Sequence, residues 1–378
     1  MRLTGFVFLL FLYGFQVKAQ DPPPKVSKKI FGFTPLTDTI SSGKQGIIVL
    51  PLLYYTPDTR WAFGGAGAYY FRVPSRDSSL PDARTSYVQF LADYTENKQL
   101  DIWSSWNIFT RNENYLLKGD ARFRNFPDRF YGIGNRTEES QMEKYSYNLL
   151  QMKAMVLKKI KPALFIGVDY QYEYEYNFGY TPGGQLESGT ISGYRGGIGT
   201  GFGVVGIHDN RDNIINAYKG SLLELSTYFF VPKLGSTFRY TNLNAQYQKY
   251  WQIRRKHILA LQSRIRLTYG NVPFLDMSTL GGDDLLRGYA RNRYRDHHFA
   301  GTQLEYRFPL FWRLGMVGFA GVGDVFGPAS KISVQNVKYS LGTGLRLVVD
   351  PAERLNIRLD YGYGREGGQW YFMVAEAF

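Results

Sequence analysis

The 378-residue chain contains no cysteine. That excludes disulfides, thiolate metal sites, cysteine nucleophiles and a lipid anchor carried on a cysteine behind an export signal. Histidine is scarce, at four residues, so imidazole chemistry has little material. After the first twenty residues no stretch approaches the run of about twenty apolar residues that a membrane helix requires. No tandem repeat is visible either. Acidic residues are the minority charge: 32 Asp and Glu stand against 45 Lys and Arg, a formal net charge of +13. The cations are nevertheless scattered, in short clusters such as Lys158-Lys159 and Arg254-Arg255-Lys256. A nucleic-acid binder gathers them on one element, so nucleic acid is not an expected partner.

What the chain has in excess is aromatic. Thirty tyrosines and 27 phenylalanines suit a protein whose rings collect at two membrane–water boundaries. The dominant hydrophobic period is two, not 3.6. In "LNIRLDYGYG", Leu355, Ile357, Leu359, Tyr361 and Tyr363 share one face, and Asn356, Arg358, Asp360, Gly362 and Gly364 share the other. "VKYSLGTGLRLVV" and "LALQSRIRLTY" repeat the pattern, with Arg346 in the first and Arg264 and Arg266 in the second on the polar face. Such runs are about ten to fourteen residues long, the length of a tilted strand crossing a bilayer and longer than the usual strand of a soluble sandwich. Glycine and charge on one face and bulky apolar groups on the other match a wet lumen and a lipid exterior. In hydrocarbon every backbone amide must be paired within the protein, so the strands must close on themselves.

The expected fold is therefore all-β, a transmembrane antiparallel β-barrel of about sixteen strands. The runs begin near Gly46, Trp61, Arg84, Lys98, Asn114, Glu143, Lys161, Gly193, Ala217, Ser236, Lys256, His298, Leu314, Gln335, Leu355 and Gln369. An even number puts both ends of the barrel on the periplasmic side. The longest connections, about 126–142, 175–192 and 271–297, all follow odd strands and so lie outside, where long loops belong. Ahead of the barrel, at residues 45–378, residues 1–19 read as an export signal: Arg2, the short apolar core "FVFLLFLYGF", and small residues before a cut after Ala19. Residues 20–44 read as a short periplasmic leader. The expected location is the cell outer membrane.

Three segments resemble the barrel domain of the BamA/TamA-type outer-membrane superfamily, also called the bacterial surface antigen family. "LRGY" at Leu286, Arg287, Gly288 and Tyr289 is similar to the family's loop-tip motif. "DNRDNIINAYKG", from Asp209 through Arg211, Asp212 and Asn213 to Gly220, is similar to its inside turn before a strand. The terminal Phe378 is similar to its C-terminal insertion signal. The resemblance implies that the loop after the eleventh strand folds back into the barrel, with its arginine held by acids on the inner wall of the next two strands. Physically, an arginine withdrawn from bulk water needs a carboxylate, best gripped by two parallel hydrogen bonds. The following strand, "FAGTQLEYRF", points Phe299, Gly301, Gln303, Glu305 and Arg307 inward, so Glu305 is the first partner for Arg287. The strand after it departs from the family pattern, with Gly321 where an inward aspartate is common. Asp324, or Asp360 beyond it, is then the second candidate.

Other segments invite chemistry that their spacing does not support. Gly197, Gly199, Gly201 and Gly203 lack the phosphate-binding fingerprint. They read as a smooth strip of inner wall, against which a loop packs or which eases curvature. Asp209, Arg211, Asp212 and Asn213 lack the distal acid of a calcium loop and read as a turn held by Arg–Asp pairing and Asx hydrogen bonds. His208 and His257 lie at periplasmic turns. His297 and His298, beside Asp296, read as a solvated loop end, and no enzyme activity, metal or cofactor is expected. "NRT" at Asn135–Thr137 is a sequon without meaning in bacterial export.

The resemblance implies insertion or export of outer-membrane protein or lipid. Family members usually carry periplasmic POTRA domains, for which the leader is too short, so a separate periplasmic partner is expected. Outer-membrane lipid, lipopolysaccharide and the barrel-insertion machinery are the other expected partners. The alternative is a passive pore or surface-binding barrel, in which lumen-facing Arg264, Arg266, Arg346 and Arg358 favour anions.

Overall fold

The computed structural model describes residues 45–56, 60–75, 83–328, 331, 333–351 and 354–378. The expected signal and leader, residues 1–44, lie outside the described residues.

Alternating sequence becomes strand wherever the two faces meet different surroundings. The strands are β1 (Gln45–Thr56), β2 (Arg60–Phe71), β3 (Ser86–Thr95), β4 (Leu100–Phe109), β5 (Tyr115–Phe130) and β6 (Glu143–Lys161). Then come β7 (Leu164–Tyr180), β8 (Gly197–Asp209), β9 (Gly220–Phe230), β10 (Tyr240–Arg254), β11 (His257–Gly270), β12 (Ser278–Leu280) and β13 (Tyr294–Asp296). The last are β14 (His298–Phe311), β15 (Leu314–Phe326), β16 (Lys338–Asp350), β17 (Leu355–Gly364) and β18 (Gly367–Val374). Sixteen of them, all but β12 and β13, form one antiparallel sheet in chain order. This is the all-β barrel architecture that the period of two requires. The strand starts read from the sequence fall within about four residues of those observed. Among the described residues, the hydrogen-bonded ladder runs from β1 to β18, and no register joins these two end strands.

Inside and outside are chemically distinct. On β17, Asn356, Arg358 and Asp360 are buried toward the interior, whereas Leu359 and Tyr363 are exposed on the outer face. The same division holds on β8, where Val205 and Ile207 are buried while Phe202 and Val204 are exposed. An exposed apolar face of this extent is unstable in water and stable against acyl chains. The glycine row of β8 is covered by aromatic rings, one of them, Phe238 over Gly197, from the β9–β10 loop. Tyr228 and Phe230 of β9 lie across Gly203 and Gly201, and a Cβ at Gly201 would stand 2.6 Å from the Phe230 ring.

The turn between β8 and β9 closes as its composition indicates. Arg211 grips Asp209 with two hydrogen bonds of 2.9 Å, from Nε and Nη2. Asn213 Oδ1 accepts from the backbone N–H groups of Ile215 and Asn216 at 2.7 and 2.8 Å. Asp212 accepts from Tyr218 N at 2.9 Å and from Arg354 of the turn after β16 at 2.8 Å. Gly220 sits at φ +103°, where a side chain would be strained and would run into the Asn210 carbonyl.

The outward face makes a direct prediction. Val204, half-exposed near the middle of β8, should tolerate leucine. Val204→Arg should destabilise the barrel by about 2–4 kcal/mol, measured as the shift of a urea unfolding transition in liposomes.

Candidate functional site

The loop from 271 to 297 does not stand above the barrel. Its stem is the hairpin β12–β13, with Ser278 opposite Asp296 and Leu280 opposite Tyr294. Beyond the stem, Gly281 and Gly282 take φ +106° and +135°, turning the tip downward. The tip, Leu285–Tyr289, is buried throughout: Leu286 and Arg287 are 0% exposed. Close approach of two backbones makes this possible. Gly288 at φ +121° lies against Tyr363 of β17, and a Cβ on Gly362 would stand 2.6 Å from the Arg287 carbonyl carbon. Tyr289 lays its ring on Gly364.

Arg287 enters a buried charge network. Nη2 bonds the Glu305 carboxylate of β14, and Nη1 bonds Asp360 of β17 at 2.5 Å. The guanidinium lies 3.6 Å above the centre of the Phe319 ring on β15. Glu305 also accepts from Arg307 Nε at 2.9 Å. Asp360 also accepts from Arg346 Nη1 at 2.5 Å and Arg358 Nη1 at 2.8 Å. Backbone groups of the tip are held too. Ser340 donates to the Arg287 carbonyl, and Gly288 N donates to Tyr371 Oη at 2.8 Å.

Asp324 is the exception among the expected partners, and the expectation is corrected. It pairs instead with Lys338 Nζ at 2.7 Å and with Asn135 Nδ2 of the β5–β6 loop at 2.8 Å. The reason is register. Asp324 stands opposite Ala300, whereas Gly321 stands opposite Gln303 and Gly323 opposite Gly301, which puts the two glycines on the inward set. Those two inward positions are needed small. Cβ atoms at Gly321 and Gly323 would stand 3.2 and 2.7 Å from the Leu286 methyls. The glycine that departs from the family pattern thus makes room for the loop's own leucine.

The four lumen arginines are also not free cations. Arg346 bonds Asp360 and, at 2.7 Å, Glu376. Arg358 bonds Asp360 and the Asp283 carbonyl. Arg264 bonds Asp284 at 2.8 Å, and Arg266 donates to the Asp276 carbonyl at 2.9 Å. Sequence reasoning missed Glu376. It lies past β18, where the tail turns at Ala375 (φ +70°) and carries Glu376 and Phe378 to the interior side. Asn356 Nδ2 donates to Glu376 at 2.6 Å, Arg307 Nη2 donates to the Phe378 carbonyl at 3.0 Å, and the Phe378 ring packs 6.1 Å from that of Tyr250. An acid two residues from the end of a chain whose last strands carry inward arginines was the available signal.

The loop base is anchored separately. Phe274 packs edge-on against Phe130 and Tyr145, with ring centres 5.7 and 5.4 Å apart. Tyr240 Oη donates to Asp276 Oδ2 at 2.6 Å. Arg293 ties the stem to Glu366 at 2.7 Å and to the Thr137 carbonyl at 2.8 Å. At the stem's end His297 Nδ1 lies 3.4 Å from Asp296, which is wholly buried. The nearby Ser278 hydroxyl donates to the His297 backbone carbonyl at 3.0 Å, not to its ring.

A folded-in loop whose arginine is held by wall acids is the arrangement that the sequence motif implied, except that the second acid comes from β17 and not from β15, the strand after β14. The family model for the Omp85 superfamily domain matches residues 200–378, just under half of the chain, a stretch that includes Arg287 and the acids it bonds. The barrel is similar in fold to BamA from Haemophilus ducreyi lacking POTRA domains 1–3. Identity is 13% and the TM-score 0.55, covering 88% of this chain and 70% of that one. It is similar to CdiB from Acinetobacter baumannii (13% identity, TM-score 0.55, 88% and 60% covered). It is also similar to CdiB from Escherichia coli (10%, 0.55, 88% and 62%). At these identities the likeness is one of fold. The chain spans less than two thirds of the length of either CdiB structure. No curated protein sequence matches it.

Two outcomes follow from this site. Arg287→Ala leaves Glu305 and Asp360 facing each other's arginines with one cation fewer. Removing one partner of so buried a pair should destabilise by about 3–5 kcal/mol, seen as a lower temperature for loss of the folded band on a heat-modifiability gel and as protease cleavage within 281–293. The second concerns pH. Burial pushes the Asp276 carboxyl up, and the neighbouring Glu173 carboxylate pushes it further, to about 7. A carboxyl held protonated in the fold adds stability below its ordinary range and loses that contribution as pH rises toward its folded value. Protease resistance of the loop should therefore be higher at about pH 6 than at about pH 9, and Asp276→Asn should flatten the difference.

Proposed function

We propose that this Omp85-type barrel acts in the insertion or export of outer-membrane protein or lipid, together with a periplasmic partner, and that it is not an enzyme. The single observation carrying the reading is the wholly buried Arg287, which anchors the loop tip Leu286–Tyr289 inside the barrel on β14 and β17. A conducting pore has no use for a loop sealed into its lumen by a network of four arginines and three carboxylates (Arg287, Arg307, Arg346 and Arg358 with Glu305, Asp360 and Glu376). The arrangement instead lets a rigid wall keep the membrane sealed while the end strands β1 and β18, which share no ladder among the described residues, supply the place where a client strand or lipid enters. Anion selectivity loses its basis, because the arginines named for it already have acids or carbonyls.

The alternative, a passive pore, separates cleanly by experiment. In planar bilayers the barrel should be mostly closed with brief flickers, and Arg287→Ala should lengthen the open events. A steady, anion-selective channel from the unaltered protein would overturn the reading. Depletion from the native envelope should lower a defined subset of outer-membrane proteins or lipids. An unchanged envelope composition would count equally against it.

A further inference from the structure

The cations at the periplasmic turns fall into two groups. Most have acids. Arg211 holds Asp209, Arg354 holds Asp212, and Arg84 holds Glu113 at 3.1 Å. The turn between β10 and β11 differs. Arg254, Arg255 and Lys256 follow one another, all exposed, and make no ion pair or side-chain hydrogen bond among the described residues. The neighbouring turn around the barrel, between β14 and β15, adds Arg313, which bonds only the Val349 carbonyl, at 3.3 Å. Neither segment, 251–257 or 308–314, contains a carboxylate.

Among the described residues, the β14–β15 turn carries the most exposed aromatic pair of the outer wall. Phe311 and Trp312 are 69% and 68% exposed, and Ile253 is 56%. Lys256 and Trp312 both sit at positive φ, +61° and +51°, a region that a bulky side chain enters only under local constraint. β11 pairs directly with β14, so the two turns stand side by side. Their apolar groups continue the lipid-facing surface of β10, β11 and β14, on which Trp251, Tyr269 and Leu304 are exposed. Strand parity puts both turns at the periplasmic boundary of the bilayer, where phospholipid headgroups lie.

We infer that the β10–β11 and β14–β15 turns form a binding site for anionic phospholipid of the periplasmic leaflet. Phe311 and Trp312 enter the interface between headgroup and acyl chain, as aromatic belt residues do. Arg254, Arg255 and Lys256 meet the phosphodiesters, each such contact adding attraction that salt screens. The occupant is lipid rather than an acidic protein because the cations are continuous with the wall that already faces acyl chains. This inference rests on the fold and topology alone and is independent of the proposed function.

The test uses the full chain, reconstituted in nanodiscs containing phosphatidylethanolamine and phosphatidylglycerol and released for native mass spectrometry. The unaltered protein should retain phosphatidylglycerol preferentially, and high salt should abolish the preference. In R254Q/R255Q/K256Q the preference should fall on the order of a hundredfold, from three near-surface cations. K233Q/R239Q, which removes exposed cations at the opposite rim, should leave it unchanged. Heat-modifiability of each variant verifies folding. If the triple variant misfolds, the salt dependence of the unaltered protein and a W312A variant, expected to weaken retention of both lipids, still decide the matter. Equal retention of the two lipids by the unaltered protein would overturn the inference. So would undiminished preference in the triple variant, or loss in it of binding to an acidic periplasmic protein with lipid retention unchanged.

Discussion

A charged side chain taken out of water must find its counter-charge at once, and in this barrel Arg287 does so by bonding two strands that are not neighbours. Glu305 on β14 and Asp360 on β17 are brought to one guanidinium, with Phe319 of β15 beneath it. Because the pair is wholly buried, losing either partner leaves an uncompensated charge, and the loop cannot leave without exposing that penalty. The contact therefore sets the position of the loop, and the loop fills the space that would otherwise be a pore.

The remaining interior follows from accommodating that contact. Leu286 beside Arg287 needs volume, which Gly321 and Gly323 provide. The backbone at Gly288 needs to touch the wall, which Gly362 permits. Glu305 and Asp360 each carry more than one arginine, so the acids are bridges rather than single partners. Through Arg346 and Arg307 the network continues to Glu376 and the Phe378 carbonyl. A surface loop and the chain's last residues thereby belong to one electrostatic unit, although β18 lies between the tail and the strands it bonds. The periplasmic rim is arranged on a different rule. Its acids are matched to arginines, and one run of three cations unmatched among the described residues, Arg254 to Lys256, stands beside the exposed Phe311 and Trp312.

The strand periods, the strand count and the inward set of β14 could all be read from residue order, because side-chain alternation is a local property of an extended chain. That is why parity, once the resemblance had placed the loop's arginine against the wall, could single out Glu305 as a partner, and why Arg211 and Asp209 could be seen as a turn pair two residues apart. Asp324 could not be placed in this way. Its position depends on the register between β14 and β15 and on a loop, carrying Asn135, that arrives from far along the chain. The glycine row of β8 was legible as a gap but not as the bed of Tyr228 and Phe230, since cross-strand contact depends on register.

Residue order by itself determined that this chain makes long two-faced strands, about sixteen of them, with oil on one side and polar groups on the other, because burial of each face is decided residue by residue. Through the resemblance of its loop motif it also marked Arg287 as an arginine in need of acid. Which acids answer, whether the lumen arginines stay free, and where the last two residues go were decided only when sixteen strands came into register around one interior. Ion pairs are matters of distance, and distances between residues 287, 305, 360 and 376 exist only in the assembled fold.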